Sequence, residues 1–127
     1  MDSKENLLQM EKTSGFLHAR TAGIRSRESV KNISHEVFAA AREKDCSKVL
    51  IDVRELTGSF GFTDITYLVR EVLQELNGKG IEQVAVIDIK RTVGLGWFLE
   101  TVSQSSGLNI RVFDDEASAK KWFCEEK

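Results

Sequence analysis

Basic side chains follow two strongly apolar runs of the sequence, and together they could bind an anion. Arg54 comes directly after KVLIDV (residues 48–53), and Lys90 with Arg91 comes after QVAVIDI (residues 83–89). If the two runs are neighbouring parallel strands, their carboxyl ends meet at one edge of a sheet, where helix amino ends also present free amides. The sequence therefore predicts three cations at one edge.

Large apolar side chains are expected beside those cations. Phe60, Leu95 and Trp97 lie in the segments that follow the two runs. A surface of this kind would suit an anionic group on an apolar body, or an acidic patch on a partner protein. The alternative is that the cations are solvated and paired with Glu55 or Asp88, in exposed pairs worth at most ~1 kcal/mol, while Trp97 is a packing residue.

The loop between the first apolar run and the next helix, LTGSFGFTD (residues 56–64), also has two interpretations. Thr57 and Ser59 carry hydroxyls that could accept a phosphate, whose charge would be favourable beside helix amides. The structural interpretation makes the segment a hinge, in which glycines permit the turn and Thr63 caps the helix. The second interpretation explains these residues without any function.

No catalytic or metal-binding pattern emerges from the remaining polar residues. The two cysteines and two histidines lack the CxxC or HxxxH spacing of metal sites. Asp52 and Asp88 interrupt apolar strands, but hydrogen bonding near strand ends accounts for buried carboxylates of this kind, and neither His18 nor His35 has an evident partner. GLGWF (residues 94–98) lacks the third glycine of a dinucleotide fingerprint. We expect no enzyme activity, no metal and no cofactor.

The composition is that of an ordinary globular domain. The 127 residues are 41% hydrophobic and 30% charged, with a net charge of -2, which gives no general attraction to nucleic acid or to anionic membranes. No apolar run approaches the ~18 residues of a membrane span, and the opening MDSKE is unlike a signal peptide. We expect a single cytoplasmic domain over residues 1–127 that neither binds nucleic acid nor spans a membrane.

Apolar periodicity predicts strands alternating with helices. Such an order indicates parallel pairing through right-handed crossovers. The predicted elements are a hairpin (6–12 and 16–24), a helix capped by Ser26 and ending near 44–45, a strand (48–53), a helix (about 65–76), a strand (83–89), a helix (92–106), a strand (109–113) and a short helix capped by Asp114 or Asp115.

This order and three motifs resemble the STAS domains of sulphate transporters and anti-sigma-factor antagonists, especially their SpoIIAA-like branch. The resemblance covers residues 15–123. It rests on KVLIDVREL running into a Gly/Ser loop, on the amphipathic helix that follows, and on the ending RVFDDEASAKKWF. It implies strands in largely sequential order, helices mainly on one side of the sheet, and binding rather than catalysis.

The resemblance also implies where a regulatory phosphate would go, and the sequence departs from it there. Anti-sigma antagonists carry a phosphorylatable Ser or Thr in an Asp-Ser-Ser-Gly type motif, whereas Ser59 lies between Gly58 and Phe60. We therefore predict a non-catalytic regulatory module that contacts a protein partner without the family's phosphorylation switch. The alternative is a carrier or sensor of a small apolar or amphipathic anionic ligand.

Overall fold

The computed structural model describes residues 7–13, 15–58, 60–76, 78, 80–88 and 95–125, with Leu95 described by its backbone only. Strands and helices alternate after an amino-terminal hairpin, as the periodicity predicts. The elements are β1 (Leu7–Thr13), β2 (Phe16–Ile24), α1 (Arg27–Glu43), β3 (Lys48–Thr57), α2 (Phe62–Tyr67, continued by Leu68–Val72 and Leu73–Leu76), β4 (Gln83–Ile87), α3 (Leu95–Ser105), β5 (Ile110–Phe113) and α4 (Glu116–Glu125).

One five-stranded sheet carries these helices, in the sequential order β1-β2-β3-β4-β5. β1 is antiparallel to β2, and the other neighbouring pairs are parallel. Ile51 of β3 is paired with Val86 of β4. The two apolar runs are therefore parallel neighbours, which confirms the arrangement on which the predicted edge depends.

The helices divide unequally between the two faces of the sheet. Side chains of α1, α2 and α3 cover one face, where Val37, Val69 and Ile51 belong to the main core. α4 covers the other face with a smaller cluster that includes Trp122 and Phe123. The expected placement of helices mainly on one side is confirmed.

Local hydrogen bonds explain where two of the helices begin. Ser26 caps α1, since its hydroxyl accepts from the Ser29 amide at 3.1 Å and the Ser29 hydroxyl accepts from the Ser26 amide at 2.9 Å. Asp115 precedes α4 and accepts from the Ser118 amide at 2.8 Å. The hydrogen bond from Ser118 also lowers the pKa of Asp115. Both caps agree with the sequence predictions.

The predicted cap of α2 is wrong. Gly61, not Thr63, is the capping residue, and the Asp64 carboxylate accepts from the Gly61 amide at 2.9 Å. The arrangement satisfies a free amide from the third helical position, where an acidic residue also complements the helix dipole. The Asp64 carboxylate thus caps the amino end of α2, because the N-cap residue Gly61 has no side chain.

Strand β3 is longer than predicted and contains a bulge. Arg20 is paired with Asp52 and Ala22 with Glu55, so β3 uses one more residue than β2 over this stretch. The strand then continues to Thr57. Residues 54–57 are therefore strand rather than loop, because β2 keeps pairing with β3 after β4 has ended.

Candidate functional site

Arg25 connects three strands at the carboxyl edge of the sheet. It follows β2 directly, and its Nη1 donates to the Asp88 carboxylate beyond β4 at 3.3 Å. Its Nη2 donates to the carbonyl of Val53 in β3 at 3.2 Å, and its own amide donates to the carbonyl of Thr57 at 2.6 Å. The Arg25 side chain is mostly buried, so these contacts hold the ends of β2, β3 and β4 together beneath the surface.

The loop after β3 is held tightly against the turn before α1. Gly58 has φ +116°, and a Cβ there would lie 3.1 Å from the Arg25 carbonyl oxygen. The Thr57 hydroxyl donates to the Gly23 carbonyl at 3.3 Å. Only glycine meets both the backbone conformation and the close approach, so this part of the loop is built as a hinge.

A cavity of about 700 Å³ lies between the sheet and the helices behind this edge. Most of its wall is apolar, formed on the sheet by β3, β4 and β5 and on the other side by α1, α2 and α3. Arg25 and Asp88 are the charged side chains among the described lining residues. Exposed Thr57 and Gly58 also line it, so the cavity reaches the surface at the loop.

Exposed apolar side chains gather at the same edge. In the described part of the chain, four large apolar residues have about half of their surface exposed or more: Leu7, Ile24, Phe62 and Trp97. Leu7 pairs with Ala22 near the end of β2, Ile24 ends β2, and the other two lie in the first turns of α2 and α3. The large exposed apolar side chains of the described structure therefore lie together at this edge.

The structure places the predicted site residues at different positions. Thr57 and Phe60 lie at the cavity, and Phe60 is half-buried against the main core. Trp97 is 66% exposed, so its interpretation as a packing residue is wrong. Leu95 begins α3, but its side chain lies outside the described residues, as do Ser59, Lys90 and Arg91 altogether.

Arg54 lies on the opposite face of the sheet from the cavity. Its Nε and Nη2 donate to the Asp52 carboxylate at 2.9 and 2.6 Å, and Nη2 is also 3.6 Å from Glu116 of α4. Burial raises the pKa of Asp52, but the hydrogen bonds from Arg54 outweigh it and leave that pKa below its usual value. Arg54 thus holds a buried carboxylate through two of its guanidinium nitrogens.

The histidines have partners that sequence analysis did not find. Nε2 of His18 lies 3.4 Å from the Glu116 carboxylate, and Nδ1 of His35 lies 2.7 Å from that of Glu75. These are contacts between elements far apart in the chain. Within the described residues no three metal-binding side chains cluster, and no helix has the length and apolarity to cross a membrane.

Arg25 is the residue that sequence analysis missed. The rule that selected Arg54 and Lys90, a basic residue directly after a strand, applies equally to Arg25 after β2. β2 is half of the hairpin with β1 and also a parallel neighbour of β3. The rule therefore holds for β2 as it does for the strands that follow.

Comparison with known proteins identifies the fold. No family model and no curated protein matches the sequence. An anti-sigma factor antagonist from Mycobacterium paratuberculosis has a TM-score of 0.57 at 10% identity, over 95% of this chain and 96% of that one. An uncharacterized DUF3478-family protein with a SpoIIAA-like fold, from Shewanella loihica PV-4, has a TM-score of 0.53 at 17% identity, over 94% of each.

The chain therefore has a SpoIIAA-like α/β fold. This confirms, at the level of fold, the resemblance to STAS domains of the SpoIIAA-like branch that the sequence motifs predict.

Proposed function

We propose that the protein is a single-domain, non-catalytic cytoplasmic regulator that acts by contact with a protein partner. The contact surface is the carboxyl edge of the sheet, centred on the first turns of α2 and α3 and including Thr57 and Phe60. Similarity of fold to an anti-sigma factor antagonist supports a regulatory role. Lys90 and Arg91, which follow β4 in the chain, would add positive charge to the same edge.

One observation carries this proposal: the exposed apolar side chains of the described structure lie at one edge. Phe62 is 53% exposed and Trp97 66% exposed. Phe62 packs edge-to-face on Phe98 at 4.9 Å between ring centroids, which fixes α2 and α3 side by side. Apolar patches of this kind mark protein contact sites, and aromatic residues contribute much of the binding energy there.

Capture of partners from the lysate of the host organism tests the surface. We expect the wild-type chain to retain a specific partner and the double variant Phe62→Ser/Trp97→Ser to lose it, with circular dichroism showing that the variant is folded. The control is Glu82→Ser/Asn109→Ser, which changes two exposed residues at the opposite edge. Equal capture by both variants, or loss in the control alone, would contradict the proposal.

We propose further that this regulator works without the family's phosphorylation switch. The departure of residues 56–64 from the Asp-Ser-Ser-Gly pattern supports this, as does the engagement of the Thr57 hydroxyl with Gly23. Protein purified from its host should therefore carry no phosphate on Thr57 or Ser59, as measured by intact-mass and peptide mass spectrometry. Phosphate found on either residue would refute this.

A second candidate function, carriage or sensing of a small ligand, is favoured by the cavity behind the edge. Its volume of about 700 Å³ falls within the range of small-molecule sites. Native mass spectrometry of protein purified from its own host should then show a bound small mass. Protein of unmodified mass throughout would count against this second function and leave the first untouched.

A further inference from the structure

The cavity is a cleft that reaches the surface at the loop, and it extends well into the space between the sheet and the helices. Protein interiors are close-packed, with few voids larger than a water molecule. Here a space of about 700 Å³ is bordered by all three parallel strands from β3 to β5, at Ile51, Val84 and Ile110, and by three helices. Small-molecule sites are commonly apolar clefts of this size with a few polar groups.

One polar atom at the cavity has no partner. The Nε of Arg25 is buried and makes no hydrogen bond within the described part of the structure, although both terminal nitrogens of the same guanidinium donate. Arg25 lines the cavity. A buried donor without an acceptor is costly, and an oxygen of a bound molecule would satisfy it.

Among the described lining residues, the charges of Arg25 and Asp88 are paired with one another, which argues for a neutral molecule inside the cavity. Asp88 already shares the guanidinium of Arg25, at 3.3 Å. A ligand carboxylate would place a second anion beside the first in a poorly solvated site, where like charges repel strongly. A carbonyl, ester or hydroxyl oxygen could accept from Nε without that repulsion.

The helix above the cavity is irregular where it borders the space. α2 leaves α-helical geometry at Leu68, continues as a π-helical turn to Val72, and ends in a tighter 3₁₀ turn from Leu73. Leu68 and Leu73 both line the cavity. π-helical turns occur frequently at functional sites, and here the turn forms part of the cavity wall.

We propose that the cavity binds a neutral amphipathic molecule, with a medium-length apolar chain between sheet and helices and an oxygen acceptor on Arg25 Nε. The proposal rests on the second function above and specifies its ligand class. The sequence-based alternative is a small apolar or amphipathic anionic ligand, and this proposal makes the ligand neutral. It does not depend on the protein-contact surface.

Methyl NMR tests this directly, because isoleucines report on both faces of the sheet. Ile33, Ile51, Ile65 and Ile110 line the cavity, whereas Ile87 belongs to the core under α4. Protein labelled at isoleucine δ1 methyls is titrated, below micellar concentrations, with 1-decanoylglycerol and separately with decanoate. We expect saturable shifts of the four cavity methyls with 1-decanoylglycerol, at least tenfold weaker binding of decanoate, and an unshifted Ile87.

Variants assign the recognition to Arg25. Arg25→Lys keeps the charge opposite Asp88 but removes Nε, and should weaken 1-decanoylglycerol binding roughly tenfold or more. The matched control Arg111→Lys changes an arginine that lies over Trp122 on the other face and should bind as wild type does. Val86→Phe fills the cavity and should abolish binding, while Ile87 shows that the fold is intact.

The outcomes separate the ligand class from the function. Decanoate binding as tightly as 1-decanoylglycerol, with cavity methyls shifted, would overturn the neutral class and leave a ligand-binding function standing. Shifts with neither probe would overturn both. Equal affinity of Arg25→Lys and wild type would overturn the role of Arg25, and shifts that include Ile87 would show that binding is not confined to the cavity.

Discussion

Replacing Arg54 with alanine should destabilise the protein markedly, because it leaves the Asp52 carboxylate buried without its partner. The Asp52 side chain is 6% exposed and that of Arg54 33% exposed. Removing one partner of a fully buried ion pair costs ~3–5 kcal/mol. Since Arg54 is one-third exposed, water can replace part of its contribution, and we expect a loss of about 2–3 kcal/mol in the free energy of unfolding.

The loss should depend on pH in a defined direction. In the wild type the pKa of Asp52 is lowered, so its contribution is complete above the ordinary carboxyl pKa and is lost as the pH falls through the lowered value. Without the Arg54 guanidinium, burial is opposed only by the backbone amide of residue 54 and the charge of Arg20. The pKa of Asp52 should therefore be higher than in the wild type, so the variant is penalised at neutral pH and relieved as the carboxyl takes up a proton. The difference between the two proteins should therefore be largest near pH 7 and should narrow towards pH 4.

Urea unfolding followed by Trp122 fluorescence measures this difference. Trp122 is buried against Phe113 and Phe123, on the face where Arg54 lies, and a Trp97→Phe background removes the exposed tryptophan. The control is Arg20→Ala, an exposed arginine 3.8 Å from Glu116, which should cost at most ~0.5–1 kcal/mol. A loss for Arg54→Ala no larger than this control, or a difference that grows towards acid, would refute the reasoning.

The remaining predictions concern backbone conformation and capping, each measured by chemical or thermal unfolding. Gly58→Ala should lower the free energy of unfolding by ~1–3 kcal/mol, because Gly58 has a positive φ and a Cβ there would lie 3.1 Å from the Arg25 carbonyl oxygen. Gly61→Ala should lower it by under ~1 kcal/mol, because a Cβ there would meet no atom within 4 Å. Equal losses would contradict this. Asp45→Gly should raise the free energy of unfolding by ~0.5–1 kcal/mol, because Asp45 has a φ of 60° after the end of α1. A lower free energy of unfolding would show that the Asp45 side chain stabilises the protein by more than its backbone conformation costs. Ser26→Ala should cost ~1 kcal/mol through the lost cap of α1, and an unchanged stability would contradict its role.

Sequence predicted the architecture because the sheet and its helices follow from local periodicity. Unbroken apolar runs around Ile51 and Val86 indicated strands covered on both sides, and the three-and-four spacing of Ile33, Val37 and Ala41 indicated an amphipathic helix. Right-handed crossovers then leave few arrangements. The observed sheet order and the α1 cap at Ser26 agree with these predictions.

The details that sequence could not predict are those decided by tertiary packing. The bulge in β3 adds one residue between Asp52 and Glu55 relative to β2, and it lets Leu56 pack with Ile51 in the main core although the two are five residues apart. Strict alternation would have turned Leu56 to the other face. The π-helical turn of α2 is equally hidden, because its apolar stripe fits a regular helix.

The position of Arg54 shows why a correct sheet does not by itself locate a binding site. Parallel pairing brought the carboxyl ends of β3 and β4 to one edge, as expected. Which face a side chain takes at that edge depends on strand alternation, and residue 54 shares its face with Asp52, two positions earlier. Arg25, in contrast, leaves β2 where the chain turns towards α1, so its side chain passes under the helices and reaches both Val53 and Asp88. Of the two arginines, the one beyond its strand faces the cavity and the one still within its strand stabilises the opposite face.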